Sequence, residues 1–300
     1  MSYTRRDFLK TGAVVLGAAA AGEQVASRLR GGGSVAQAAG PEPVYEIYAL
    51  KYAGPFTSRL AMLLWNEGWN EEIERNYYIW VIKGKDENII VDAGTGVTLA
   101  GQRKLKGYVN PVDVLARIGV NGTNVNKVIL THIHFDHVGG IEMFPQAFPK
   151  AKFYVQKKEF DFWTKNPIAK RAPFVGITDP AANKALAAME GSDRLVIVDG
   201  DKKIIPGMEL LLAPGHTIGL QAVAVKTAKG TAIAASDCAH IARSFKDDIP
   251  SCLITDMIAW LESYDKLRAK ASSLEVIFPG HDVKMLTDYP KVAEDVTRLV

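Results

Sequence analysis

The sequence is poor in cysteine and has no long apolar run. Its 300 residues include only two cysteines, Cys238 and Cys252. A disulfide framework and a metal knuckle of paired cysteines are therefore both excluded. The sequence favours two unpaired buried thiols over a single bridge between them. No apolar stretch approaches the roughly 20 residues that a membrane-spanning helix needs.

The main part of the chain also lacks an excess of either charge. The formal net charge is +3, but residues 1–38 carry five basic and two acidic side chains, which leaves 31 of each sign in the rest. A basic surface for nucleic acid is therefore not indicated. The composition, 48% apolar and 23% charged, is ordinary for a soluble globular protein with a large core.

The basic leader has a recognisable pattern. Residues 4–10 read "TRRDFLK" and are followed by the mild apolar run "TGAVVLGAAAAG". That run is too short to span a bilayer. The leader resembles a twin-arginine export signal, with cleavage expected near residue 20 or after residue 38. We therefore predict a signal and spacer in residues 1–38, a folded domain in residues 39–300, and a periplasmic or secreted protein with no membrane contact after signal removal.

From residue 44 onward, short segments rich in Val, Ile and Tyr alternate with segments of helical pattern. The strand-like segments end at Gly, Asp or Pro. This mixture predicts sheets with helices packed outside them. Two apolar segments, residues 53–76 and 166–179, are predicted as irregular, either lining a binding site or packing on a helix. Predicted helices cover residues 111–118, 157–165, 180–190, 255–270 and 289–300.

All six histidines of the chain lie at or just beyond the C-terminal end of a predicted strand. Three of them share the stretch "THIHFDHVGG" with an aspartate, and the other three each follow a strand of their own. Scattered structural histidines would not share that position six times. The pattern therefore predicts a metal site. The residues that show this pattern are His132, His134, Asp136, His137, His216, His240 and His281.

Metal chemistry accounts for this choice of residue types. Zinc and similar ions bind neutral imidazole and carboxylate, and two ions about 3.5–4 Å apart clamp the attacking and leaving oxygens of a hydrolysis. On an extended segment His132 and His134 point the same way, while Asp136 and His137 follow at the next turn, toward a second ion. We therefore predict two divalent ions, with zinc favoured and iron, manganese and cobalt left open.

The stretch "HIHFDH" resembles the HxHxDH signature of the metallo-β-lactamase superfamily, and later "GH" pairs follow in that family's order. The resemblance implies an α/β fold over residues 39–300, an αββα sandwich of two mixed β-sheets flanked by helices. It implies that Asp92 supports the site without binding metal. It assigns His132, His134 and His216 to one ion, Asp136, His137 and His281 to the other, and Asp237 as the bridge.

The stretches "YYIWVIKGKDENIIVDAGTG" and "SDCAH" are similar to the N-acyl homoserine lactonase-like branch. This implies a dinuclear, quorum-quenching hydrolase in which metal-bound hydroxide opens a small-molecule lactone or related ester. Asp136 would relay a proton to the leaving oxygen. His240, where the best-known lactonases have tyrosine, would donate to the carbonyl oxygen. A glyoxalase II-like thioesterase and a mononuclear iron sulfur dioxygenase remain alternatives, and a homodimer stays open.

Overall fold

The computed structural model describes residues 43–85 and 87–300. The export signal predicted in residues 1–38 lies outside the described residues. The strands are β1 (Glu46–Arg59), β2 (Glu72–Lys83), β3 (Asn88–Val91), β4 (Val125–Ile129), β5 (Lys152–Gln156), β6 (Leu195–Val198), β7 (Lys202–Ile205), β8 (Met208–Leu212), β9 (Gln221–Thr227), β10 (Gly230–Ser236), β11 (Ile277–Pro279), β12 (Lys291–Ala293) and β13 (Val296–Arg298). The helices are α1 (Leu60–Leu63), α2 (Val97–Gln102), α3 (Pro111–Ala116), α4 (Phe135–Val138), α5 (Phe144–Ala147), α6 (Lys157–Lys165), α7 (Ala172–Val175), α8 (Pro180–Ala188), α9 (Ala242–Lys246), α10 (Met257–Lys270) and α11 (Lys284–Thr287).

The strands form two mixed sheets. The larger sheet has the order β12-β13-β1-β2-β3-β4-β5-β6, and the smaller has the order β11-β10-β9-β8-β7. In the larger sheet, β3, β4, β5 and β6 run parallel, whereas β1 and β2 are antiparallel. In the smaller sheet only the pair β10–β11 is parallel.

Three apolar layers hold the sheets and helices together. Between the sheets, side chains such as Trp80 and Ile129 of the larger sheet pack with Val223 and Phe278 of the smaller. A second cluster joins the outer face of the larger sheet to helices that include α3, α6 and α8. A third packs α10 on the outer face of the smaller sheet, with Trp260 buried. The order helix, sheet, sheet, helix confirms the predicted αββα sandwich.

The principal helices begin where the sequence supplies a capping side chain. The side chain of Asn110 accepts a hydrogen bond from the backbone N–H of Val112, and Pro111 occupies the first turn of α3. Asp256 caps α10 in the same way, through the N–H of Ala259. Such caps satisfy N–H groups that have no partner within the helix. The predicted helix at residues 157–165 coincides with α6.

The C-terminal prediction was wrong, because residues 289–300 contain a β-hairpin rather than a helix. Strand β13 pairs with β1, with Val296 opposite Leu50. At the turn, Asp295 adopts a left-handed φ of 58° and its carboxylate binds Lys51 at 2.7 Å. Valines spaced four apart are compatible with a helix. The edge of β1, however, has backbone groups that can pair with a further strand, and β-branched residues such as valine are favoured in strands.

Most of residues 53–76 also departs from the predicted irregular loop. Strand β1 continues to Arg59 and β2 begins at Glu72, so the two strands form a long antiparallel arm closed by α1. Both cysteines are free, as favoured, but only Cys238 is buried, whereas Cys252 is half-buried. Among the described residues, no helix combines the length and the apolar character needed to cross a membrane.

Candidate metal centre

The predicted donors converge because four strands end at the same edge of the sandwich. His132 follows β4, while His216, Asp237 and His281 follow β8, β10 and β11. His134 precedes α4, the short helix that carries Asp136 and His137. The strands β8, β10 and β11 run in the same direction, since β8 and β10 are both antiparallel to β9. The structure thus brings together every sequence-predicted donor.

One group of donors consists of three buried imidazoles. One nitrogen from each of His132, His134 and His216 lies within 4.8 Å of the others. The closest approach is 3.0 Å, between Nε2 of His216 and Nδ1 of His134. Three converging imidazole nitrogens are a common protein ligand set for zinc.

A second group contains Asp136, His137 and His281, again within 4.8 Å. Nε2 of His281 lies 3.6 Å from Oδ2 of Asp136. The carboxylate of Asp237 stands between the groups, with Oδ2 3.0 Å from His281 Nε2 and 3.4 Å from His216 Nε2. A carboxylate in that place has the position of a bridging ligand.

Hydrogen bonds behind the imidazoles direct their other nitrogens to the centre. Nδ1 of His216 lies 2.7 Å from the carbonyl of Leu253, and Nδ1 of His281 lies 2.8 Å from the carbonyl of Asn76. These acceptors favour a proton on Nδ1 and leave Nε2 with a lone pair. The rings are therefore oriented as metal ligands before any ion is considered.

Asp92 supports the second group from behind, as the resemblance implied. Its carboxylate accepts hydrogen bonds from the backbone and the side chain of Thr131, and its Oδ2 lies 2.8 Å from Nδ1 of His137. Asp92 follows β3 directly and has a φ of 68°. A non-glycine residue in that region is uncommon and is held by its surroundings.

Several buried polar atoms of the centre have no hydrogen-bond partner. They include Nε2 of His132, Nε2 of His137 and Oδ1 of Asp237. Buried polar groups normally have a partner, so unpaired atoms call for an explanation. A divalent cation would satisfy all three, and the imidazole and carboxylate donors are of the kinds that zinc accepts. The residues present therefore fit a metal centre.

The charges of His132, His134 and Asp237 match this interpretation, whereas Asp237, Asp136 and Asp92 outweigh burial and raise the pKa of His137. Burial, together with neighbouring histidines, holds the pKa of His132 and of His134 well below the usual value, so both are neutral. Burial opposes ionisation of Asp237 as well, but His281, His137 and His240 outweigh it and lower the pKa of that carboxyl. Neutral imidazole and ionised carboxylate are the forms that bind metal.

A glycine before His281 leaves room for the bridging carboxylate. A Cβ built on Gly280 would lie 2.1 Å from Oδ1 of Asp237. That distance is well inside van der Waals contact, so a larger residue would displace the carboxylate. The need for a residue without a Cβ beside Asp237 gives a steric reason for glycine in the "GH" pair at this position.

His240 lies closer to the donors than its predicted role outside the metal sites suggested. Its Nε2 is 3.3 Å from Oδ2 of Asp237, and its ring centroid is 4.8 Å from that of His216. With His216 and Asp237 it forms a further group with metal-ligand spacing. Burial holds the pKa of His240 well below its usual value. The centre therefore brings together eight residues with side chains of metal-binding type, rather than the seven assigned as ligands from the sequence.

A cavity of about 240 Å³ opens onto the centre. Asp136, Asp237, His240 and His281 all line it. A neighbouring apolar cavity of about 210 Å³ shares His134 with it and continues past Trp163 and Phe174. The segment at residues 166–179, which was predicted as irregular, contains the short helix α7. It supplies walls of the site, as one of its two interpretations proposed.

Sequence analysis missed a buried carboxylate that joins the two histidine loops. In Glu159 of α6, Oε1 accepts hydrogen bonds from the backbone N–H of Ile133 and from Trp163 Nε1, and Oε2 accepts one from the N–H of Gly219. Ile133 lies between two donor histidines, and Gly219 follows the loop of His216. The available signal was that Glu159 shares a helix face with Phe160 and Trp163, both buried.

Known proteins share parts of this sequence and its fold. An N-acyl homoserine lactonase of Bacillus thuringiensis is 26% identical over 175 residues, which cover 58% of this chain and 62% of the relative. The matched part of this chain thus spans less than two thirds of that relative's length. The acyl-coenzyme A thioesterase MBLAC2 of Bos taurus is 25% identical over 213 residues, 68% of this chain and 72% of the relative.

The fold also matches that of solved structures. AidC, described as a dizinc quorum-quenching lactonase in complex with a product, superposes with a TM-score of 0.64 over 81% of this chain and 89% of AidC, at 21% identity. The sequence profile of the Metallo-beta-lactamase superfamily matches residues 73–281, well over half of the chain and a span that includes all eight residues of the centre. The chain belongs to the metallo-β-lactamase superfamily.

Proposed function

We propose that this protein is a dinuclear metal-dependent hydrolase that opens a lactone or a related cyclic ester. The observation that carries the proposal is the pair of buried donor groups with the Asp237 carboxylate between them. His132, His134 and His216 would hold one ion, and Asp136, His137 and His281 the other. Two divalent ions, with zinc favoured, would act as a Lewis acid on the carbonyl group and would lower the pKa of the attacking water.

Two side chains of the cavity are suited to the remaining steps. Asp136 faces the cavity, where its carboxylate can carry a proton to the leaving ring oxygen. His240 faces the same space, and an N–H at its Nε2 can donate to the carbonyl oxygen as negative charge develops there. Neither step needs a serine or cysteine nucleophile. Cys238 is buried, and burial raises the pKa of its thiol.

The apolar neighbouring cavity supports a substrate with a hydrocarbon part. Its walls include Trp163, Phe174 and Ile254. An acyl or alkyl group placed there would remove apolar surface from water. This arrangement, together with the lactonase relatives, supports an N-acyl homoserine lactone or a similar lactone as the substrate class.

Metal analysis and a substrate screen test the proposal together. We expect purified protein to hold about two divalent ions per chain, and a chelator to abolish the opening of acyl homoserine lactones. Restoring zinc or manganese should recover the activity. One tightly held iron with oxygen uptake would instead support the sulfur dioxygenase alternative and contradict a dinuclear hydrolase.

A thioesterase is the second candidate, favoured by the similarity to an acyl-coenzyme A thioesterase. Matched acyl chains on a homoserine lactone and on coenzyme A separate the two. A lactonase should turn over the lactone with the higher kcat/KM. Turnover of the thioester alone would replace the lactone assignment but keep the metal centre.

A further inference from the structure

Two arginines stand at the cavity that opens onto the metal centre. Arg75 comes from β2 and Arg103 from the end of α2, and both line the cavity. Neither arginine forms an ion pair with a carboxylate of the described residues. Apart from the candidate ligands Asp136 and Asp237, no acidic side chain lines this space.

Aromatic rings fix the places of both guanidinium groups. The Arg75 guanidinium lies 5.1 Å from the Tyr77 ring centroid, and that of Arg103 lies 3.9 Å from the Phe135 centroid. The two rings are themselves 5.9 Å apart. Cation–π contact positions a guanidinium without neutralising it.

Neutral acceptors complete the arrangement. Nε of Arg75 donates to Oγ of Ser58 at 2.8 Å, and a terminal nitrogen of Arg103 donates to the carbonyl of Gly176 at 2.8 Å. A guanidinium has five N–H donors, so each retains donors for a further group. Because the Tyr77 ring is 5.3 Å from the His281 ring, this group would lie beside the metal centre.

The charge balance around the cavity calls for an anion. Two divalent ions would carry more charge than the two carboxylates among their candidate ligands. The half-buried Arg75 and the exposed Arg103 add two unpaired guanidinium groups to that excess beside a space of about 240 Å³. A neutral lactone would leave both arginines without a counter-charge, whereas a carboxylate or phosphate matches the planar donors of arginine.

We propose that the lactone substrate carries an anionic group, a carboxylate or a phosphate, which Arg75 and Arg103 bind beside the reacting ring. This proposal rests on the proposed lactonase function and narrows its substrate class. The substrate would combine a hydrocarbon part for the apolar cavity with an anion for the arginines. N-acyl homoserine lactones lack that anion, so of the lactones proposed above they would be weaker substrates than a similar lactone that carries it.

Matched probes test the proposal. Three hexyl-butyrolactones that differ only in one ring substituent, a carboxylate, a phosphomethyl group or a carboxamide, are compared as substrates of the metal-loaded protein. We expect kcat/KM for one of the two anionic lactones to exceed that for the carboxamide by at least about tenfold. The better anion identifies the group. Added salt should reduce the preference, because it screens the charges.

Arginine variants assign the preference to residues. Arg75→Gln combined with Arg103→Gln should bring the ratio of anion to carboxamide close to one. Arg75→Lys should keep part of the ratio, because it keeps the charge and loses only the planar donors. Arg59→Gln is the matched control, since Arg59 is exposed, pairs with Glu72 on the arm and does not line the cavity. It should leave the ratio unchanged.

Binding of the corresponding lactams, which the enzyme cannot open, separates this proposal from the proposed function. If no lactone is opened but an anionic lactam binds about tenfold tighter than the carboxamide lactam, the arginine site stands and the reaction is wrong. If all three lactones are opened equally and the lactams bind equally, the reaction stands and the anionic substrate is wrong. A preference that survives in the double variant also overturns the role of the arginines.

Discussion

Single side chains outside the donor groups hold the metal centre in position. Backbone carbonyls and Asp92 orient three of the histidines from behind. Glu159 holds the backbone rather than a ligand ring. Its carboxylate accepts hydrogen bonds from the N–H of Ile133, between His132 and His134, and from the N–H of Gly219, after the loop of His216. Partners behind a ligand commonly change metal affinity 10–100-fold when they are lost. The same scale is expected for Glu159.

We therefore predict that Glu159→Gln weakens the first metal site. A glutamine amide would place an N–H₂ group against at least one backbone N–H, so one of the two loops loses its acceptor. Affinity at the His132, His134 and His216 site should fall about tenfold or more, as measured by competition with a chelator. Asp161→Asn on the same helix, where Asp161 pairs with surface lysines, should change nothing. If the two variants bind metal with the same affinity, Glu159 has no role in positioning the ligands.

His240 is expected to affect rate rather than metal content. Removing a donor to a developing oxyanion typically costs about 10²–10³ in kcat. We predict that His240→Ala keeps both ions and the fold but lowers kcat for lactone opening at least about tenfold. Kinetics and metal analysis on the same preparation check this. Loss of one ion would make His240 a ligand, consistent with its place beside His216 and Asp237.

The convergence of the candidate donors, with Asp92 behind them, was predictable from sequence, whereas the places of Arg75 and Glu159 were not. The histidines are few and follow strand ends, so local pattern and chemistry were enough to predict a metal site, and the family resemblance assigned them to two groups. Arg75 and Glu159 occur in segments where charged residues normally face water. Their roles depend on which side of a strand or helix meets the cavity or core, and that follows only from long-range packing.

Among the elements, the C-terminal hairpin shows how an unpaired sheet edge overrides local pattern. Val292 and Val296 are four apart, as on one face of a helix. In the structure Val296 is buried in β13, whereas Val292 is 46% exposed in β12. Helical spacing carried no information about the open edge of β1, which is more than 200 residues away in sequence.

This difference gives a direct test of the hairpin. Val296→Ala removes buried methyl groups and should lower the free energy of unfolding by about 2 kcal/mol. Val292→Ala, the same change at an exposed position, should alter it by less than about 0.5 kcal/mol. Denaturant unfolding measures both. Similar losses in the two variants would contradict the hairpin and favour a helix with both valines on its buried face.

For the whole molecule, the leader predicts export from the cytoplasm by the twin-arginine route. The paired arginines of "TRRDFLK" are the feature that a twin-arginine signal requires. We expect Arg5→Lys combined with Arg6→Lys to retain the protein in the cytoplasm with its leader uncut. Cell fractionation and the mass of the chain give the readout, with Arg28→Lys as control. Normal export of the double variant would exclude this route.

The donor residues belong to both sheets, and this has a thermodynamic consequence. His132 extends from the larger sheet, whereas His216, Asp237 and His281 extend from the smaller. Bound ions would therefore cross-link the two layers at one edge. Such coupling is reciprocal. The free energy with which bound ions oppose separation of the sheets therefore equals the free energy by which separation weakens ion binding, and a substitution between the sheets, even one far from the centre such as at Trp80, weakens ion binding as far as it populates the separated state.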